Sequence, residues 1–482
     1  MNRRMILYIL GRILLVEALL MLPSVLVGII YSEKVTLSFL LPMAILVLLG
    51  AYPAFRRPQN TAIYARDGLF IVAASWILMS LAGSLPFFFS GYFNNYADAL
   101  FEIVSGFTTT GASVLSAPEE LPHCILFWRS FSHWIGGMGV LVFVLAIVPL
   151  SDDRSMHLMR AEAPGPIVGK LVPRMRDTAK ILYGVYSVMT VILIILLLVG
   201  KMPVFDALCT AFGTAGTGGF GVHSQSIALY DSAYIEIVIA VFMLLFGINF
   251  NLYYFLLIKR AKLFFKNEEL RWYVIIVAIA TVAITLNLTM LTEKAFGLSL
   301  RQAFFQVASI ISTTGFSTFD FALAPQFTQH VLLLLMIFGA CAGSTAGGLK
   351  ISRLILLLKT FSQEIRRLLH PRSVSVVRLD GNAIDRQTIH GVLSYFVAYI
   401  GILILTTLLL SIDKFNFTTN FSATVACANN VGPGLDAVGP MGNYGGFSAF
   451  SKILLSFVML FGRLEILPMM ILFTPDVWRK NA

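Results

Sequence analysis

Four short segments hold the residues whose types and spacing suit one piece of chemistry. They read DALFEIVSGFTTTGAS, DALCTAFGTAGTGGFG, QAFFQVASIISTTGFS and TNFSATVACANNVGPG. They align without gaps on Gly111, Gly219, Gly315 and Gly432, at intervals of 108, 96 and 117 residues. Each is a short apolar stretch followed by a small-residue strip. The strips are Thr109, Thr110, Gly111 and Ala112; Thr217, Gly218, Gly219 and Phe220; Thr313, Thr314, Gly315 and Phe316; Asn430, Val431, Gly432 and Pro433. A glycine reaches φ/ψ values that turn backbone carbonyls toward a shared axis, where a Cβ would clash. Carbonyls so placed replace the water shell of a desolvated cation. Each short helix also points a C-terminal end, carrying about half a negative charge, at the same region. Four such ends favour a cation over an anion.

Two further features lie near these strips. The stretch Gly339–Lys350 (GACAGSTAGGLK) holds Gly339, Gly343, Gly347 and Gly348 among Ser344, Thr345, Ala346 and Lys350. Each glycine costs a helix about 1 kcal/mol against alanine, so this segment is expected to leave helical geometry. Unwound backbone at membrane depth lines a cavity or is buried in protein. It reads as a mobile gate or, alternatively, as a small-residue packing face. The sequence suggests such a break in this span alone. Arg463, in LFGRLEILP with Glu465 nearby, is a charge within an apolar run and so a functional candidate. It either projects into a pore as a barrier to cations or ties to Glu465 or a helix carbonyl.

Other patterns carry less. Gly216, Gly218 and Gly221 satisfy G-x-G-x-x-G, but no strand precedes them and no βαβ unit surrounds them. Gly343 to Lys350 lacks the GK[ST] of a phosphate loop. His133 and the neighbouring Gly136, Gly137 and Gly139 read as packing. Asp98 and Asp206 open their short helices, where N-capping explains them. Cys124, Cys209, Cys341 and Cys427 form no CxxC pair. No convergent acid, base or metal cluster is visible, so no enzyme is expected.

The elements that must position the strips follow from composition. The chain has 482 residues, 57% hydrophobic and 12% charged, with mean hydropathy +0.83. Soluble domains carry about 25% charged residues. An integral membrane protein is expected, with the lipid bilayer as its surroundings and no nucleic-acid partner. Crossing the hydrocarbon takes about 20 apolar residues. Ten runs qualify: 5–31, 35–54, 68–92, 124–150, 180–200, 233–258, 271–292, 329–358, 388–411 and 448–473. The stretches 98–108, 206–216, 302–312 and 419–429 are too short, and each lies between two spanning runs. A helix of about 11 residues rises about 16 Å, half the hydrocarbon, so the chain must turn back on one side.

The net charge is +10. With Met1 cytoplasmic, 27 of the 35 Lys and Arg residues fall inside, giving +16 there and −5 outside. The reverse orientation violates the positive-inside bias. Both termini are therefore expected in the cytoplasm, and the acidic outer face would concentrate cations. The expected fold is an all-α integral membrane protein. It has ten transmembrane helices plus four re-entrant pore helices, as four span–pore–span repeats around a pseudo-fourfold pore, preceded by two extra N-terminal spans. The units are 1–66 (the N-terminal pair), then pore units 67–160, 161–265, 266–372 and 373–482.

Four span–pore–span units with one glycine per strip resemble the Trk/Ktr/HKT superfamily of potassium transporters, over about residues 68–475. The two extra spans and the length make the chain similar to the membrane subunit of bacterial Trk potassium uptake systems. That resemblance implies potassium as the transported ion, held at the four strips. It also implies a bacterial inner-membrane location, a homodimer with one pore per protomer, and a cytosolic nucleotide-binding regulatory subunit resembling TrkA. Nucleotide would act only through that partner. The family's intramembrane loop maps onto Gly339–Lys350 and its pore arginine onto Arg463. Serine at the first filter position goes with sodium selectivity in plant relatives; Gly111 stands there, which favours potassium. The fourth strip departs from the threonine–glycine pattern. The alternative function is a secondary transporter coupling potassium influx to protons or sodium. It needs intramembrane carboxylates, and only Glu17 and Glu465 lie clearly within spans.

Overall fold

The structure, a computed structural model, describes residues 2–56, 58–60, 64–139, 175–292, 295–372 and 376–470. The second half of run 124–150, the basic stretch 151–174 and the C-terminal residues lie outside these. The described residues are mostly helical, with long non-helical connections and one two-stranded hairpin, Arg378–Leu379 against Asn382–Ala383.

Among the described residues, six helices are long and apolar enough to cross a membrane: Arg3–Ile30, Lys34–Phe55, Arg66–Ser90, Asp177–Val199, Glu268–Leu291 and Arg386–Leu410. Their outward faces carry bare apolar side chains such as Leu48, Val199, Ile279, Val397 and Ile404. Such faces suit lipid and would be costly in water. These six are the N-terminal pair and the first helix of each repeat.

The second helix breaks in units 2 and 4 as well as in unit 3, and in unit 1 it ends at Gly137 within the described residues, which corrects the expectation that only the third would break. In the first, His123–Gly137 ends before Gly139, whose φ is +77°. In the second, Ala233–Phe246 and Phe250–Leu257 meet at 93°, so run 233–258 is not one straight helix. In the third, Gln326–Phe338 and Ile351–Leu369 flank a non-helical 339–350. In the fourth, Ala449–Leu464 stops at Glu465, with φ +63°. The reason is tertiary. A broken helix leaves backbone groups that must find partners away from water. The breaks supply them to one another. Cys341 N–H donates to Gly247 O (3.1 Å), and Phe250 N–H donates to Gly343 O (2.9 Å).

The four short helices are Tyr96–Phe107, Val204–Gly216, Phe296–Ile311 and Phe417–Ala428. Each packs against the second helix of the preceding unit. His123–Gly137 lies on the second short helix, Ala233–Phe246 on the third and Gln326–Phe338 on the fourth. Ala449–Leu464 lies on the first. The order closes on itself, so the repeats form a ring. The N-terminal pair packs outside it, against Ala65–Gly83 and the second helix of unit 1.

The capping assignment for the two aspartates is also corrected. Asn95 caps the first short helix by accepting Asp98 N–H (2.9 Å), and Pro203 precedes the second. Asp98 instead takes a buried salt bridge from Lys452 (2.6 Å), joining unit 1 to unit 4. Asp206 accepts from Tyr230 Oη (2.7 Å) and lies 3.3 Å from His223 Nε2. An acid in a helix's first turn still suits the dipole, but tertiary partners decide where its side chain goes.

Candidate functional site

All four short helices end in the same way. The N–H two residues before each glycine bonds back three residues: Thr109 to Gly106, Thr217 to Thr214, Thr313 to Ile310 and Asn430 to Cys427 (3.0–3.3 Å). The next N–H bonds back five: Thr110 to Ser105, Gly218 to Gly213, Thr314 to Ser309 and Val431 to Ala426 (2.8–2.9 Å). That double bond is a Schellman ending, which requires a left-handed residue. Thr109, Thr217, Thr313 and Asn430 fill that place, with φ of 55°, 56°, 57° and 53°. Glycine usually holds it, and a β-branched residue there is strained.

The four aligned glycines then turn the chain with φ of +81°, +72°, +87° and +95°. They also interlock. A Cβ on Gly111 would lie 1.9 Å from Gly218 O, and one on Gly219 1.9 Å from Thr314 O. On Gly315 it would lie 2.2 Å from Val431 O, and on Gly432 2.6 Å from Thr110 O. Each glycine thus abuts the carbonyl that immediately precedes the next glycine, round the ring and back to the start. Glycine is needed twice over, for its φ and for this close approach.

Above the ring lies a cavity of about 100 Å³ lined by all four glycines, Ala112 and Pro433. Phe220 and Phe316 are buried behind it. Phe220 stacks on His133 (centroids 4.2 Å apart), so this histidine packs against strip 2. The strips are fastened differently from behind. Ser309 Oγ donates to Phe316 O (2.6 Å), Tyr444 Oη donates to Gly432 O (2.7 Å), and Asn430 Nδ2 donates to Thr110 Oγ1 (2.9 Å). Strip 1 is held by charge. Glu102 accepts Ser113 Oγ and Val114 N–H (both 2.9 Å) and Arg129 Nε (2.6 Å).

Below the ring lies the non-helical 339–350. Gly347 N–H donates to Thr313 Oγ1 (2.7 Å), and a Cβ on Gly347 would sit 2.2 Å from Asn429 O. The segment therefore presses against the bases of strips 3 and 4. Gly339 and Gly348 face each other across its neck, and Lys350 Nζ donates to Ala346 O within it. Ser344 Oγ donates to Cys341 O (2.6 Å). Glu269 holds both ends at once: its Oε1 accepts Ala342 N–H (2.8 Å) and Ser352 N–H (2.9 Å).

Arg463 reaches the same segment. Its guanidinium donates to Thr345 O and Gly137 O (2.6 Å each) and to Gly136 O. It ties the segment to the carbonyls left over where His123–Gly137 ends. Glu465 pairs instead with Arg353 (2.6 Å), whose guanidinium lies over the Tyr395 ring. These contacts of Arg463 are all to backbone carbonyls, at the end of one helix and in the non-helical segment. A cavity of about 10 Å³ remains between Arg463, Glu465, Gly462, Tyr395, residues 346–348 and Lys350.

Sequence reasoning missed Glu102, Arg129, Tyr444 and Glu269. Arg129 and Lys452 count as outer-side charges in sequence, yet both are buried in ion pairs. Glu102 carried the one available signal, a carboxylate in the middle of a short apolar helix. Among the described residues, three or more His, Cys, Asp or Glu side chains gather nowhere in a metal-holding group. The oxygens at the ring are backbone carbonyls and hydroxyls.

Comparison with known proteins adds the relationship. The TrkH family, described as cation transport protein, matches residues 37–480. The Trk system potassium uptake protein TrkH of Salmonella typhimurium is 37% identical over 475 residues, covering 97% of each chain. TrkH of Escherichia coli is 36% identical over the full length of both. The crystal structure of the potassium transporter TrkH from Vibrio parahaemolyticus superimposes with TM-score 0.90 at 34% identity. It covers 99% of this chain and 100% of that one. Helices of membrane length, a ring of carbonyl-bearing strips and relatives matched end to end agree: the chain is no enzyme, and it belongs to the TrkH family of cation transport proteins.

Proposed function

We propose that the protein takes up potassium across the bacterial inner membrane through the ring of four strips, with Gly339–Lys350 as its gate. The observation that carries this reading is the interlock of the four glycines. It sets the carbonyls of Thr110, Gly218, Thr314 and Val431 in one closed layer, as ligands for a dehydrated cation. The relatives named for potassium uptake supply the ion.

Topology follows the charge distribution. Ten spans place both termini in the cytoplasm, and the four short helices enter and return on the outer side. An ion enters the outer cavity, sheds water at the glycine ring and meets the gate beneath it. The short-helix C-termini stabilise positive charge at that depth. A membrane potential negative inside contributes about 2.3 kcal/mol per charge per 100 mV, which drives influx without a coupled ion. In the closed form Gly347 is held to Thr313, and Arg463 fastens Thr345 while adding positive charge to the path. Opening moves the segment off these contacts. A homodimer, and a cytosolic nucleotide-binding subunit acting on the basic inner face, complete the expected assembly.

The test is rubidium and sodium flux from purified protein in liposomes, with Gly315→Ser as the altered filter. The new side chain meets Val431 O at an impossible distance, so rubidium flux or its preference over sodium should fall sharply. Unchanged flux and preference would refute the filter assignment. Currents that reverse at the potassium equilibrium potential under a pH gradient would separate an uncoupled pore from proton-coupled transport.

A further inference from the structure

The repeat explains why four strips share a backbone. It does not explain a charge pair found behind only one of them. Nine residues before each ring glycine stand Glu102, Thr210, Gln306 and Ala423. Only the first is charged. Glu102 is fully buried in the first short helix, and Arg129, from His123–Gly137, is 3% exposed. A buried ion pair adds little net stability over apolar residues of the same volume. Mere packing would be served as well by leucine and methionine.

The contacts show what the pair does instead. Glu102 grips strip 1 just beyond its glycine, at Ser113 Oγ and Val114 N–H. Arg129 spans to strip 2: Nη1 donates to Gly221 O (2.8 Å), and the guanidinium lies over the Phe220 ring at 3.6 Å. Gly221 and Phe220 directly follow ring glycine Gly219. The ion pair therefore joins the outer ends of strips 1 and 2 through one rigid, planar group. At the strips themselves the other junctions use neutral bonds, Ile227 N–H to Ser317 O (3.2 Å) beside strip 3 and Tyr444 N–H to Ser113 O (2.8 Å) between units 4 and 1; the ion pairs Lys452–Asp98 and Arg301–Glu236 join helices instead. Arg129 also borders the outer cavity. Glu102 cancels a positive charge that would otherwise repel incoming cations.

We propose that the Glu102–Arg129 pair is a positioning element that fixes the separation of strips 1 and 2 and so sets the discrimination between potassium and smaller cations. This rests on the filter reading above. The ring's preference for a large cation depends on strips that resist closing around a small one. The pair supplies that resistance at the one junction it spans.

The experiment measures rubidium and sodium flux in liposomes, per unit of folded protein. The variants are Arg129→Lys, the double variant Glu102→Gln with Arg129→Met, and Gly315→Ser. Arg129→Lys keeps the charge but loses the planar fork to Gly221. The double variant removes both charges at similar volume and is the one chosen to fold. Both are expected to lower the rubidium-to-sodium flux ratio by roughly tenfold, the scale of a lost charge-assisted hydrogen bond. A role in stability alone would lower yield and melting temperature without moving this ratio. A wild-type ratio in the folded double variant overturns the proposal. If Gly315→Ser alters the ratio while neither Arg129 variant does, the brace fails and the filter reading stands. If Gly315→Ser also keeps the wild-type ratio, the filter reading itself fails.

Discussion

Glu269→Gln should open the gate. Glu269 stands in the first turn of Glu268–Leu291 and is 6% exposed. Both of its contacts to the gate segment, Ala342 N–H and Ser352 N–H, fall on one carboxylate oxygen. Glutamine has the same shape and can offer one oxygen to both donors, so the bonds persist but lose their charge. Hydrogen bonds to an ionised group contribute about 1.5–3 kcal/mol, neutral ones about 0.5–1.5. Two bonds weakened by about 1 kcal/mol each remove about 2 kcal/mol from the state in which both ends are held. At 1.4 kcal/mol per tenfold, the open-to-closed ratio rises about 30-fold. The assay is rubidium uptake into potassium-loaded liposomes, with no cytosolic partner present. Glu268→Gln is the control, because Glu268 faces Lys359 (2.5 Å) and Asp380 rather than the gate. Basal uptake should rise many-fold in Glu269→Gln and stay at the wild-type value in Glu268→Gln. Unchanged or reduced uptake in a Glu269→Gln protein of wild-type melting temperature would refute the idea that this carboxylate holds the segment shut.

Arg463→Ala removes the bond to Thr345 O and leaves the carbonyls of Gly136 and Gly137 without their donor. It should therefore raise basal rubidium flux and lower the melting temperature together; flux at the wild-type level would refute the gate contact. Glu33 links the N-terminal pair to unit 1 by accepting His123 N–H (2.7 Å) and Cys124 N–H (3.0 Å). Partial burial pushes its carboxyl up, but the hydrogen bonds from Cys124 and His123 prevail and hold it below the ordinary 4.5. A depressed carboxylate contributes stability above its unfolded value and loses it as pH falls through the folded one. The melting temperature in detergent should decline below pH 4.5, and Glu33→Gln should flatten that limb. An equally steep decline in the variant would show that other acids cause it.

Much of the architecture was legible because it repeats. The four glycines, the half-length helices and the non-helical 339–350 are all local patterns in the sequence. What sequence could not show are contacts between distant breaks. Gly247 is a lone glycine in an apolar run and reads as part of one straight helix. It breaks because Cys341 and Gly343 satisfy the freed groups at 247 and 250, about a hundred residues away in the chain. Arg463 and Glu465 sit two apart and suggest a pair, yet opposite neighbours claim them, Gly136 and Gly137 on one side and Arg353 on the other. Arg129 reads as one more outer charge until the fold places Glu102 beside it.

The left-handed residue before each ring glycine shows how fourfold and asymmetric demands meet in one position. A non-glycine residue held there costs about 1–3 kcal/mol. Glycine would relieve that at all four sites, so what is retained is the side chain. The four side chains do different things. Thr217 Oγ1 donates to its neighbour's carbonyl, Gly216 O (2.6 Å). Asn430 reaches across to Thr110 Oγ1 and to Met459 O (2.9 Å each), fixing strip 4 to strip 1. Thr109 Oγ1 is buried without a hydrogen-bond partner among the described residues. Thr313 alone takes an N–H from the gate segment. The backbone of the ring is thus common to four units, while the hydrogen bond from residues 339–350 to these four side chains goes to Thr313 alone. In the proposed gating, a motion of residues 345–348 pulls first on this bond at strip 3, so that opening need not be fourfold even though the ring is.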